Sequence, residues 1–265
     1  MKIMRFLDSE GQVGYGQPAD EQTAHLIEGG VFDKPSVTRQ AITVAKRLPP
    51  VDPPNVFAIG LNYRKHAEES GQPLPSAPVI FIKATTSVTG ARAPIILPAS
   101  APDQVDYECE LAIVIGTEAR NVSVDDAVDH VLGYTCGNDV SARDCQLKLD
   151  AQWARGKSFD TFCPLGPVIV TPDELDGDNC PVRTVLNGEV MQESNTNDMI
   201  FSCRELVSYL SHQFTLLPGT VIMTGTPSGV GFARKPPVFL KEGDEVRIEI
   251  DGIGRLTNPV VRENL

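Results

Sequence analysis

The sequence predicts an α+β fold dominated by β-structure. Short runs rich in β-branched residues outnumber helical patterns, and Asn-Gly and Asp-Gly pairs punctuate them as hairpin turns. Helical stretches are too few to alternate with the strands as a doubly wound parallel sheet requires. In chain order, MKIMRFLD alternates as a strand and ends in a turn at Gly11; QVGYG and AHLIEG complete a small strand-rich lobe over residues 1–50. LPPVDPP, Leu48 to Pro54, carries four prolines and reads as a stiff connector into a main domain over 51–265. NVFAIG, APVIFIKA and ECELAIVIG read as buried strands. SVDDAVDHVLG has a Ser at the N-cap, acids in the first turn and a closing Gly, which predicts a helix. GYTCGND returns to strand, and SARDCQLKLD reads as a short helix. VRTVLNGEVMQ predicts a hairpin turning at Asn187-Gly188, and SCRELVSYLSHQFTL a long helix stopped by Pro218-Gly219. TVIMTG and EVRIEIDGIGRLTN finish as strands, the second turning at Asp251-Gly252.

A chain of 265 residues can bury a substantial core. Its 23 Lys and Arg against 35 Asp and Glu leave a formal charge of −12, which argues against nucleic acid and anionic membrane as partners. No apolar run is long enough to span a bilayer, and the start becomes charged too soon for a signal peptide. The six cysteines form no CxxC and no zinc-finger spacing, so a reduced, cytoplasmic protein is expected, without a disulfide framework.

One strand poses a problem. In VDYECELAIVIG, Asp106, Glu108 and Glu110 fall on one face and Tyr107, Cys109 and Leu111 on the other. Like charges at this spacing repel, and burial makes each ionised carboxylate costlier by several kcal/mol. Either the face is solvated or a cation sits on it. Asp139, in GNDVSARD, falls where a strand gives way to a helix; it is either an N-cap or a further ligand. Two Glu and one Asp make an all-oxygen set suited to Mg2+, Mn2+ or Ca2+. No histidine lies nearby, which disfavours zinc and a two-His-one-carboxylate iron site.

Three further stretches carry polar groups that chemistry could use. In IGLNYRKHAEE, His66 and Glu69 are three apart, so a helix would place them on one face, and the carboxylate could orient the imidazole as a base. In QWARGKSFDTF, Arg155 and Lys157 precede Phe159 and Phe162; a cation held in apolar surroundings can stabilise an oxyanion. TGTPSGVG, Thr224 to Gly231, is neither a Walker A nor a full GxGxxG and reads as a loop whose backbone approaches a small ligand.

Together and in this order, these stretches resemble the fumarylacetoacetate hydrolase family, from NVFAIGLNYRKHAEE to EGDEVRIEIDGIGRLTN, essentially all of residues 55–260. The resemblance implies a mixed β-roll, commonly a homodimer, with Mg2+ or Mn2+ held by Glu108, Glu110 and Asp139 and with Asp106 behind them. It implies a 2-keto acid substrate, with His66 and Glu69, on a lid, activating water and Lys157 stabilising oxyanion charge. Gln146 and Thr226 are implied as substrate contacts; Arg143 either braces the metal loop or touches substrate. The activity expected is C–C hydrolysis of a 3-acylpyruvate or related 2,4-diketo acid. The alternative is a same-fold lyase or isomerase, such as an oxaloacetate decarboxylase, a 2-keto-acid dehydratase or a decarboxylase/isomerase. A non-catalytic metal-binding protein is the remaining option, although no ligand carboxylate is missing and Lys157 is present.

Overall fold

The structure, a computed structural model, describes residues 1–264. Strands dominate it, as the β-branched runs predict. Eleven strands form one large sheet and five a second, and a two-stranded ribbon joins Val105–Asp106 to Ser141–Ala142. At the centre of the large sheet, Cys109–Ile115 pairs antiparallel with both Val131–Asn138 and Val221–Met223. Val56–Gly60 pairs parallel with Val221–Met223, and Val79–Lys83 closes that edge.

The core explains why ECELAIVIG lacks a polar face beyond its acids. Leu111, Ile113 and Ile115 pack with the five-stranded sheet, through Val182, Ile248 and Leu256, and with Leu206, Val207 and Leu210 of the helix Cys203–Gln213. Ala112 and Val114 pack on the other side, with Ala58, Leu165 and Met223. A strand buried on both faces reads as a continuous apolar run. The N-terminal lobe joins the same sheet, since Lys2–Asp8 pairs with Cys163–Val170.

The Asn187-Gly188 hairpin forms, with Leu186 opposite Glu189 and both turn residues at positive φ. The long helix starts with a capping box between Ser202 and Glu205 and ends at Gln213, ahead of Pro218. One expectation fails and another holds in part. Ser123 does cap, accepting from the Asp126 N–H at 3.2 Å, but only a short 3₁₀ segment, Ala127–His130, follows. Pairing of Val131–Asn138 with the central strand takes the rest of that stretch. SARDCQLKLD opens as a bridge at Ser141–Ala142 and then forms the expected short helix over 143–149, π-type over Cys145–Leu149 and capped by Asp144 rather than Asp139. Ser36–Arg47, a twelve-residue strand, has no counterpart among the elements expected from sequence. All six cysteines are unpaired and buried. Among the described residues no helix is long and apolar enough to cross a membrane.

Candidate metal centre and active site

Pairing in the central ladder assembles the carboxylates. Glu110 lies opposite Gly137 and Cys109 opposite Asn138. The Asp139 N–H donates to the Glu108 carbonyl at 3.0 Å, so Asp139 falls opposite Glu108. Alternation then puts Glu108, Glu110 and Asp139 on one face. All three are buried, and one oxygen from each lies within 4.8 Å of the others.

Asp106 starts the same run of acids but is fully engaged elsewhere. Its carboxylate accepts from Arg143 Nε at 2.9 Å and from the backbone amides of Gly231 and Phe232 at 2.8 and 3.0 Å. Arg143 also pairs with Glu108 through Nη1 at 2.7 Å, donates to Gln146 Oε1 at 2.9 Å, and stacks on the Phe232 ring at 4.5 Å. The guanidinium thus ties Asp106, Glu108 and Gln146 together.

Two lysines face the set. Lys157 Nζ donates to Glu108 Oε2 at 2.8 Å and Asp139 Oδ2 at 2.6 Å, and lies 5.2 Å from the Phe81 ring centre. Its short helix, Ala154–Lys157, can approach because residue 156 is glycine: a Cβ there would lie 2.8 Å from Gln146 N and 2.9 Å from Ala142 O. Lys83 pairs with Asp139 and donates to the Lys157 carbonyl. Sequence reasoning missed Lys83, because a single lysine closing VIFIK looks like an ordinary strand-end charge. The usable signal was the alternation, which puts it on the same side of its strand as buried Phe81.

Four acids therefore share three bases, and Glu110 is the one left without a cation partner. Its carboxylate accepts from the Gly225 N–H at 2.8 Å. Gly225 has φ +101°, and a Cβ there would meet Asn62 Cβ at 2.7 Å, so glycine is required on both counts. Burial, then the Asp139 and Glu108 charges, push the Glu110 carboxyl well above its usual range. Burial would do the same to Glu108, but Lys157 and Arg143 outweigh it and hold that carboxyl at about 2. A buried all-oxygen set short of positive charge fits a hard divalent cation.

His66 lies on the short helix Arg64–Glu69, and its Nδ1 is 3.2 Å from Glu69 Oε2. A carboxylate only accepts, so Nδ1 carries a proton, which in the neutral imidazole leaves the lone pair on Nε2. Burial would raise the Glu69 carboxyl, but the bonds from His66 and from the Gly229 amide bring it below the usual range. Glu69 also accepts from the Gly229 amide, in the loop whose Gly225 and Gly231 amides hold Glu110 and Asp106, so the His66–Glu69 pair adjoins the loop that backs the carboxylate set. TGTPSGVG differs from its expected role: the amides of Gly225, Gly229 and Gly231 all donate to the protein's own acids, Glu110, Glu69 and Asp106. Thr226, within this loop, and Gln146, bonded to Arg143, are both buried.

A β-roll that buries three carboxylates able to hold a metal ion, with a carboxylate-bonded histidine on an adjoining helix, defines a class of enzyme. The chain belongs to the fumarylacetoacetate hydrolase family: the family model for fumarylacetoacetate (FAA) hydrolase, C-terminal, matches residues 55–261. A mitochondrial oxaloacetate tautomerase of Xenopus laevis is 50% identical over 215 residues, 80% of this chain and 67% of that protein. A 5-carboxymethyl-2-hydroxymuconate delta-isomerase from Mycobacterium smegmatis superposes with TM-score 0.88 at 43% identity, covering 99% of this chain and 100% of that one. A fumarylacetoacetate hydrolase from Exiguobacterium antarcticum superposes with TM-score 0.89 at 38% identity, with the same coverage.

Proposed function

We propose that this protein is a divalent-metal-dependent tautomerase or isomerase of 2-keto acids, with oxaloacetate as the first substrate to test. The observation that carries this reading is the buried carboxylate trio with His66 and Glu69 beside it, in a chain half identical to a protein named as an oxaloacetate tautomerase. Glu108, Glu110 and Asp139 would hold the ion, Mg2+ or Mn2+ by the hardness of the donors, with Ca2+ accepting the same oxygens. When bound, it supplies Lewis-acid polarisation of the 2-keto oxygen.

The remaining work falls to the chain. His66 Nε2, freed by the Glu69 bond to Nδ1, takes the proton from the carbon next to the keto group and returns it to the enol oxygen, or the reverse. Lys157, charged and buried, balances negative charge on that oxygen. Gln146 and Thr226 orient the acid, and Arg143 keeps Glu108 in place, with substrate contact as its other candidate role. Tautomerisation moves a proton and needs no nucleophilic water. On family grounds the working unit is a homodimer, and the six buried free thiols fit a reducing compartment such as the cytoplasm.

C–C hydrolysis of an acylpyruvate is the second reading. The same Nε2 could take a proton from water, and the chain also resembles the Exiguobacterium hydrolase. Both activities are followed by loss of enol absorbance, from oxaloacetate and from acetylpyruvate, with Mn2+ and after chelation. Metal-dependent acceleration with oxaloacetate alone supports the tautomerase. Release of acetate and pyruvate from acetylpyruvate, at a rate exceeding oxaloacetate interconversion, would replace it with the hydrolase. His66→Ala should lower either rate about 100-fold or more while Mn2+ affinity is kept. An unchanged rate would remove His66 from the mechanism.

A further inference from the structure

A buried glutamine at the end of the VRTVLNGEVMQ hairpin, in none of the candidate site stretches, sets the polarity of a hydroxyl at the site. Gln192 lies in the strand Glu189–Asn195 of the five-stranded sheet and is 1% exposed. Its amide orientation follows from its neighbours. One end receives the Cys109 backbone N–H at 2.9 Å, which can only donate, so that end is Oε1; the Thr184 hydroxyl donates to it at 2.7 Å. The other end faces the Pro227 carbonyl at 2.9 Å, which can only accept, so that end is Nε2. The second Nε2 hydrogen goes to Thr226 Oγ1 at 2.8 Å.

Thr226 Oγ1 is therefore an acceptor toward Gln192, and its own hydrogen is left to donate. Among the described residues this hydroxyl has no other hydrogen-bond partner, although Thr226 is only 4% exposed. A buried O–H without an acceptor is costly, so an acceptor is to be expected from whatever fills the site. Thr226 follows Gly225, whose amide holds Glu110, so it stands beside the carboxylate trio.

We propose that Gln192 is a positioning residue that makes Thr226 an obligate donor to an anionic oxygen of the bound 2-keto acid, its carboxylate or its enolate oxygen. This rests on the reading of Thr226 as a substrate contact. It explains why a glutamine, a donor at one end and an acceptor at the other, spans the central strand and the Thr226 loop.

The test is a double-mutant cycle read by calorimetric binding of oxalate, a planar dianion with acceptor oxygens only, to the Mn2+-loaded protein. Thr226→Val should weaken oxalate about tenfold, the loss of one hydrogen bond to a charged oxygen. Gln192→Glu keeps the acceptor for Cys109 and Thr184 but turns the Thr226 hydroxyl toward itself, and should cost about the same. In the Thr226→Val background it should add less than about twofold. Thr226→Ser should retain oxalate binding and remain sensitive to Gln192→Glu. Should the glutamate variant not fold, Gln192→Met, which likewise cannot donate, should show the same non-additivity. Losses that multiply in the double variant would overturn the proposal, as would a fall in Mn2+ affinity on Gln192→Glu. If Thr226→Val leaves oxalate binding intact, the substrate-contact reading falls and the inference with it. Failure of the tautomerase reading is distinct: the wild type would bind oxalate yet leave oxaloacetate interconversion unaccelerated.

Discussion

Two charge clusters in this protein resemble each other on paper and differ in kind. On the five-stranded sheet, Glu249 faces Arg183, Arg247 and Arg255 at 3.5, 2.8 and 3.1 Å, and all three arginines reach solvent. In the large sheet, Asp106, Glu108, Glu110 and Asp139 share Arg143, Lys157 and Lys83, and all seven are buried. The first cluster has positive charge to spare and water to screen it; the second is dry and short of a cation. Within the second, Asp106 has a guanidinium and three backbone amides, whereas Glu110 has one backbone amide. What sets Glu110 apart as a candidate ligand is missing counter-charge, not the number of acids nearby.

The largest effect that could break this comparison is at Glu110. Glu110→Gln keeps an oxygen for the Gly225 amide and removes the charge that lacks a partner. Loss of an outer-shell partner typically costs about 10- to 100-fold in metal affinity, so loss of a ligand should exceed that. Mn2+ titration followed by electron paramagnetic resonance should show it. On the alkaline side of the Glu110 transition, the same change should raise the thermal stability of the metal-free protein, because an amide cannot ionise against Glu108 and Asp139. A variant that binds Mn2+ normally would mean Glu110 is no ligand.

Asp106→Asn should produce the opposite pattern. It leaves Arg143 with Glu108 as its one charged partner in a buried site, and losing one side of a buried pair costs up to about 3–5 kcal/mol. Denaturant unfolding of the metal-free protein should register that loss, with Mn2+ affinity falling less than for Glu110→Gln. If Asp106→Asn were harmless to stability and fatal to metal binding, the two acids would have to exchange roles.

The trio was legible from sequence because alternation alone aligns Glu108 with Glu110, and the order of blocks supplied Asp139. Asp106 was legible as an acid on that face, but its partner was not. Arg143 lies 37 positions away and meets it through the ribbon Ser141–Ala142, a pairing with no local signal. Gln192 was invisible for the same reason: it acts across two sheets, and its strand reads simply as half of a hairpin. The failed helix at SVDDAVDHVLG shows where local rules stop. Its cap is real, yet ladder partners for Val131 onward outweigh a helix of weak formers. The missed strand Ser36–Arg47 is mostly exposed, so it lacks the apolar face that periodicity detects.

Acidity should separate the metal-free and metal-bound proteins by a smaller amount. With the Glu110 carboxyl pushed above its usual range by burial and by Asp139 and Glu108, the folded state holds a proton that the unfolded chain has released. That group's contribution to stability is complete below the ordinary Glu range and is lost as pH rises through the elevated value. Glu108 runs the other way: against burial, Lys157 and Arg143 hold it at about 2, so its contribution is present above the ordinary range and lost as pH falls toward about 2. Scanning calorimetry of the metal-free protein should show Tm declining on the alkaline side of the Glu110 transition. Saturating Mn2+ should flatten that decline, because the cation replaces the proton. Parallel curves with and without metal would mean that Glu110 is indifferent to the ion.

The smallest effect is expected at the solvated cluster and serves as the control. Glu249→Gln leaves three arginines together, but water and salt screen their repulsion, so the cost should be about 1 kcal/mol or less and should shrink as ionic strength rises. Mn2+ affinity and turnover should be unchanged, since Glu249 belongs to the sheet that does not carry the trio. A loss comparable to that of Asp106→Asn would show that an acid ringed by half-exposed arginines can matter as much as one sealed in the core. Solvation would then no longer distinguish the two clusters, and counter-charge alone would have to carry the difference.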